Sequence, residues 1–226
     1  MAKDLFSNQA ELYAKYRPSY PKELIEYIVS FVNKKEMALD CATGNGQAAV
    51  LLAPFFQKVF AIDTSLKQIS QAVNFKGITY LRGEAEKTSF DDNSFDLITV
   101  AQAYHWFEFD AFSAEATRIA KPGAIIAVWG YGLVRSTDRA LENAISNFYT
   151  RVVGKYWDSE RRYIDQGYTT IPLPSLNLGK YSLLSNTLVN CGIVKLFFFR
   201  LLLNRGNLEL PRKKFTNAVS KFFKEV

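Results

Sequence analysis

The sequence predicts an α/β fold, a mainly parallel sheet with helices packed on both of its faces. Two observations predict it. Between Pro21 and Trp129, five short apolar runs alternate with segments of helical periodicity, and each run ends in a polar or glycine-bearing turn. Strands separated by helices pair in parallel through right-handed crossovers, which place helices on either face.

The elements follow in order. Pro21-Lys22-Glu23 opens a helix whose apolar face is Leu24, Ile25, Ile28, Val29, Phe31 and Val32. Met37 to Ala42 is a buried strand that runs into the turn Thr43-Gly44-Asn45-Gly46, and Gln47 to Phe56 reads as a helix. Lys58 to Ile62 is a second strand ending at Asp63, followed by a helix from Ser65 to Val73. Gly77 to Leu81 is a third strand, and Phe95 to Val100 a fourth after the turn Asp91-Asp92-Asn93-Ser94. Phe109 to Ala120 is a helix stopped by Lys121-Pro122-Gly123, and Ala124 to Trp129 is the fifth strand.

Composition narrows the classes. The 226 residues are 48% hydrophobic and 22% charged, a globular balance with enough apolar mass for a core. Two cysteines, Cys41 and Cys191, are too few for a disulfide scaffold, and no Cys/His cluster suggests a metal. The N-terminal stretch holds no apolar run of the signal-peptide kind, so a cytoplasmic location without membrane attachment is expected. The formal net charge is +6, but it is unevenly placed. Residues 1–165 carry 19 basic and 20 acidic side chains, whereas residues 166–226 carry 9 basic and 2 acidic ones. The neutral body offers no stripe that would track phosphates, so no nucleic-acid partner is expected.

Open parallel sheets bind ligands beyond the carboxyl ends of their strands, so the informative residues follow the strands. After the first comes Asp40-Cys41-Ala42-Thr43-Gly44-Asn45-Gly46, whose glycines let the backbone turn sharply against a ligand. An acid at 40 suits an amino-bearing ligand better than a diphosphate; a plain strand-to-helix turn is the competing reading. Asp63, at the end of the second strand, can accept hydrogen bonds from both hydroxyls of a ribose, or else cap the next helix, a task open also to Thr64 or Ser65. Gly83-Glu84-Ala85-Glu86 offers a carboxylate beside a backbone N–H, a pair suited to the edge of adenine, with Phe90 as a stacking surface. Together these describe a nucleoside without a phosphate.

LDCATGNGQ at 39–47, FAIDTS at 60–65, GEAEKTSFDDNSFDLITV at 83–100, AQAYHWF at 101–107, RIAKPGAIIAVWGYG at 118–132 and AELYAKYRPSYP at 10–21 carry a resemblance. The sequence resembles the class I S-adenosylmethionine-dependent methyltransferases, specifically the small-molecule type 11 branch that includes trans-aconitate methyltransferase-like proteins. The resemblance covers about residues 8 to 174. It implies a Rossmann-like three-layer sandwich with a mainly parallel seven-stranded sheet, the last two strands forming an antiparallel hairpin. It also implies S-adenosyl-L-methionine as cofactor and a small-molecule acceptor. Asp40, Ala42, Thr43 and Gly44 are implied at the methionine end, Asp63 and Thr64 at the ribose, Glu84 and Ala85 at the adenine, and Ala101 and Gln102 along the cofactor. Ala42 stands where the family has its first loop glycine.

His105 is the sole histidine, and it is read either as a general base or as a structural residue capping the next helix or packing beside Trp106. A carboxylate acceptor needs a cation instead, for which Arg17, Arg135, Arg161 and Arg162 are candidates. The segment holding Tyr13, Tyr16 and Arg17 is implied to fold over the site as a lid. The chain lacks the Asn/Asp-Pro-Pro-aromatic motif of amino-directed nucleic-acid enzymes and the Pro-Cys pair of pyrimidine-carbon enzymes. Nucleic-acid or protein methylation, a cofactor-binding protein without activity, and a nicotinamide-dependent oxidoreductase are the competing readings. The chain thus divides into a cofactor-binding unit, 1–174, and a divergent basic segment, 175–226, in which the last strands are missing or altered. Native divergence and a changed reading frame both account for that segment, and Ile193 to Leu203 fits strand and helix alike.

Overall fold

The computed structural model describes residues 19–133, 135–136, 138–168 and 170–171, together with the backbone of three strands between 181 and 203. Five parallel strands form the centre. β1 (Met37–Cys41) lies between β2 (Lys58–Asp63) and β4 (Phe95–Ala101); β3 (Ile78–Arg82) pairs with β2, and β5 (Ala120–Tyr131) with β4. β6 (Arg135–Ser136) lies apart, in a two-stranded ribbon with β8 (Ile193–Val194). From the C-terminal segment, β9 (Phe197–Leu203) pairs antiparallel with β5, and β7 (Tyr181–Leu183) antiparallel with β9. The sheet order is therefore β3-β2-β1-β4-β5-β9-β7, seven strands with one antiparallel to the rest. The residues from 193 to 203 that fit two periodicities are strand where the structure describes them.

The strands alternate between two cores. Along β5, Ile125, Ala127 and Trp129 face one layer, with α1 (Lys22–Val29) and α2 (Gln47–Leu52), while Ile126 and Val128 face the other, with α4 (Phe109–Ile119). α1 buries Ile25, Ile28 and Val29, the helical spacing read from the sequence, and carries Glu23 in its first turn, where an acid complements the helix dipole. All seven residues of β4 are buried, as expected of a central parallel strand covered on both faces.

Two helices are shorter than their patterns. α2 stops at Leu52 rather than at Phe56, because Pro54 has no N–H to continue the ladder. α3 (Leu66–Ser70) stops short of Val73, with the Ser70 hydroxyl turned back to the Lys67 carbonyl. Two further helices, α5 (Arg139–Asn147) and α6 (Arg161–Asp165), follow β6. Among the described residues, no helix is long and apolar enough to cross a membrane.

Candidate functional site

Parallel pairing brings the ends of β1, β2, β3 and β4 to one edge, and with them the turns singled out in the sequence. The turn after β1 is left-handed three times, with φ of 51° at Ala42, 59° at Gly44 and 84° at Gly46. Glycine adopts this conformation freely, whereas alanine is strained there by about 1–2 kcal/mol. That strain is the physical reason a glycine suits position 42. Ala42→Gly is therefore expected to stabilise the protein by about 0.5–1 kcal/mol after the entropy of the added glycine is counted, and so to raise Tm by ~1–4 °C. Thermal denaturation checks it, and an unchanged or lower Tm would count against strain at this position.

Asp40 is fully buried at the end of β1. Thr43 donates to one of its oxygens at 2.5 Å and Thr99, from β4, to the other at 2.8 Å. Burial pushes the Asp40 carboxyl up to about 6; the two hydroxyls pull it back in part, and the charge of Asp63 adds to the rise. The result is a carboxylate held in a fixed orientation with no positive partner among the described residues.

Asp63 joins the neighbouring turns. The Gly44 N–H donates to its Oδ2 at 2.8 Å and the Ser65 N–H to its Oδ1 at 2.9 Å, while its backbone carbonyl accepts from the Gly83 N–H at 3.0 Å. Helix capping falls to Ser65, whose hydroxyl accepts from the Gln68 N–H, so Asp63 is not the cap. Thr64 sits half-buried in the same turn. Glu84 is exposed after β3, in a backbone bridge with Lys87, and Ala85 is buried behind it. The Phe90 ring packs edge-on against Phe60 and Phe95 at 5.1 and 4.9 Å, so it belongs to a core cluster.

Ala101 ends β4 buried, and Gln102 follows with φ of 58°. The Gln102 side chain turns toward β5: its Nε2 donates to the Tyr131 carbonyl at 3.0 Å, and its Oε1 accepts from the Tyr131 N–H at 2.8 Å. The Gln102 backbone N–H likewise donates to β5, to the Trp129 carbonyl at 2.8 Å. His105 lies in a single 3-10 turn, Tyr104–Trp106, buried and 4.7 Å from the Trp106 ring. Its Nδ1 lies 2.9 Å from the Tyr168 hydroxyl. Sequence reading missed Tyr168, and Gly130 beside it; the run Val-Trp-Gly-Tyr-Gly at 128–132 was the available signal for the glycine.

Among the candidate cations, Arg161 stacks over Tyr149 and Trp157 at 5.5 and 4.9 Å and lies 3.6 Å from Asp165, and Arg162 lies over Tyr163. Tyr13, Tyr16, Arg17 and the side chain of Arg135 lie outside the described residues.

Comparisons with known proteins agree with this fold. Residues 39–128 match the family model described as a methyltransferase domain. A Dictyostelium discoideum protein bearing the name methyltransferase is 36% identical over 171 residues, 74% of this chain and 65% of that protein. A Saccharomyces cerevisiae protein named as an S-adenosylmethionine-dependent methyltransferase is 26% identical over 178 residues, 73% of this chain and 60% of that protein. The chain thus spans less than two thirds of either relative's length. A solved structure from Anaeromyxobacter dehalogenans, described as a type II methyltransferase, superposes with a TM-score of 0.67 at 27% identity, over 84% of this chain and 98% of that one. Matched domain, relatives and sheet order agree: the chain belongs to the class I S-adenosylmethionine-dependent methyltransferases.

Proposed function

We propose that the chain transfers the methyl group of S-adenosyl-L-methionine to an oxygen of a small-molecule acceptor, a hydroxyl or a carboxylate. The observation that carries this reading is the pair of carboxylates, Asp40 and Asp63, at adjacent strand ends on either side of the left-handed turn 42–46. The residues present fit the cofactor. Asn45 Oδ1 in that turn and Gln47 Oε1 at the start of α2 are buried with no hydrogen-bond partner among the described residues, acceptors suited to a ligand with N–H and O–H groups. Asp40, with Ala42, Thr43 and Gly44, is assigned to the amino-acid end, Asp63 and Thr64 to the ribose, and Glu84 and Ala85 to the adenine. Ala101 and the Gln102 backbone run alongside.

The cofactor, when bound, supplies an electrophilic methyl group on a positively charged sulfur. What the chain contributes is position and exclusion of water, the main levers for an in-line displacement. Trp106 and the segment with Tyr13, Tyr16 and Arg17 are assigned to the acceptor side. A hydroxyl acceptor must also lose a proton, and His105 is the group assigned to take it up. Residues 1–174 are read as the cofactor-binding unit, and 175–226 as a divergent segment.

Calorimetric titration of the purified chain tests this reading, followed by transfer of labelled methyl groups into panels of carboxylic acids, alcohols and phenols, nucleic acids and proteins. S-adenosylmethionine is expected to bind with a Kd between roughly 1 µM and 1 mM, NAD not to bind, and label to enter small molecules. Binding of NAD alone, cofactor binding with no transfer, or label confined to nucleic acid or protein would overturn it in favour of the corresponding alternative.

A further inference from the structure

His105 and Tyr168 come from separate parts of the sequence, yet the imidazole Nδ1 and the phenol hydroxyl meet at 2.9 Å. Both side chains are buried, 4% and 3% exposed. The approach strains the backbone. Tyr168 has φ of 57°, directly after Gly167 at 61°, a region that a bulky side chain rarely occupies and that costs about 1–3 kcal/mol. The surroundings hold it there: the Tyr168 N–H donates to the Tyr163 carbonyl at 2.7 Å, and the Gly167 N–H to the Ile164 carbonyl at 2.8 Å.

The phenol also has a seat made for it on β5. A Cβ added to Gly130 would lie 3.2 Å from Tyr168 Cε2, 3.4 Å from its hydroxyl and 2.5 Å from Gln102 Oε1. Three separate features, a strained tyrosine, a bare glycine and a hydrogen bond between distant segments, thus converge on one imidazole nitrogen.

We propose that Tyr168 is the positioning residue for His105. The imidazole carries its proton on Nδ1 and donates it to the Tyr168 oxygen, which leaves the lone pair of Nε2 to accept the proton of an O–H acceptor. A free imidazole favours the opposite tautomer, with the proton on Nε2, and a hydrogen-bond acceptor fixed at Nδ1 is the usual device for reversing that preference; the phenol oxygen fills that role with its own proton directed away from the ring. The proposal rests on His105 acting as the base, and it adds the residue that sets its tautomer.

Because His105 is the sole histidine, its two ring nitrogens can be read alone by NMR of 15N-histidine-labelled full-length protein, with no acceptor present. Above the titration of the ring, Nδ1 is expected to give a pyrrole-like signal and Nε2 a pyridine-like one. Tyr168→Phe, which keeps the ring and removes the hydroxyl, shifts the population toward the Nε2–H form. Gly130→Ala, which keeps the hydroxyl and crowds it, shifts it the same way and supplies the result should the first variant fail to fold. A wild-type ring already in the Nε2–H form, or variants that fold and keep the wild-type tautomer, would overturn the proposal. His105→Gln in the methyl-transfer panels separates the two ideas. Full transfer by that variant removes His105 as base while the tautomer data still judge Tyr168.

Discussion

Asp40→Asn is expected to stabilise the ligand-free protein and, at the same time, to cost it its cofactor. Asp40 titrates at about 6 in the folded chain, against an ordinary value of 3.8, chiefly because burial disfavours its charge. A raised carboxyl means that the folded state keeps a proton the unfolded chain has released. Below pH 3.8 both states are protonated and the group contributes nothing. As pH rises from about 4 to about 6 the unfolded chain ionises first, and above 6 the folded state carries a penalty of about 3 kcal/mol.

Asparagine removes that penalty, and the hydroxyl of Thr99 has the Leu39 carbonyl as a second acceptor at 3.3 Å, so the local network survives the exchange. The ligand-free variant should melt several degrees higher at about pH 7.5, with the gain disappearing by about pH 4. Its affinity for S-adenosylmethionine should fall by about 100-fold or more, because the amino group loses its buried counter-charge. In the wild-type chain, affinity should weaken about tenfold for each pH unit below about 6. Thermal melts across pH and calorimetric titration measure both effects. A variant that binds as tightly as wild type would take Asp40 out of the site.

Asp63→Ala should also abolish tight cofactor binding, but with the opposite sign on stability. It strands the Gly44 and Ser65 N–H groups, each now donating to a carboxylate oxygen. Charge-assisted bonds of this kind contribute about 1.5–3 kcal/mol each, less where water can substitute, so a loss of about 2–4 kcal/mol and a Tm lower by roughly 10 °C are expected. The same calorimetry should show S-adenosylmethionine binding weakened by about 100-fold or more. The contrast separates the two acids: one is a buried carboxyl whose charge the fold carries at a cost, the other a joint between turns. Equal shifts in Tm for the two variants would contradict that distinction.

The strand ends were legible because their chemistry is local. Asp40, Gly44, Gly46 and Asp63 fall within two consecutive strand-and-turn units, and an apolar run followed by a polar turn identifies each strand end without knowledge of the fold. What escaped depends on distant pairing. Nothing in Gln166-Gly167-Tyr168 announces that its ring will meet a histidine from the end of β4, and nothing in Gly130 announces that its missing side chain is what admits that ring. Gln102 was legible as a position but not as an orientation, since its side chain answers to Tyr131 on the neighbouring strand. In the C-terminal segment, the run from 193 to 203 has no clean period; strand geometry comes from pairing, with β5 for Phe197–Leu203 and with β6 for Ile193–Val194.

The Gln102 bridge restricts how the molecule can move. Its backbone N–H donates to the Trp129 carbonyl, and its amide both gives a proton to and takes one from the Tyr131 backbone. Three hydrogen bonds thus fasten the tip of β4 to the tip of β5, the two strands that carry the proposed cofactor side and the seat of Tyr168. A clamshell opening along this seam would break all three at once, so β4 and β5 behave as one rigid jaw. Hydrogen exchange at the backbone amides of Gln102 and Tyr131 should accordingly be slow, set by opening of the β4–β5 seam as a whole rather than by local fraying at its tip.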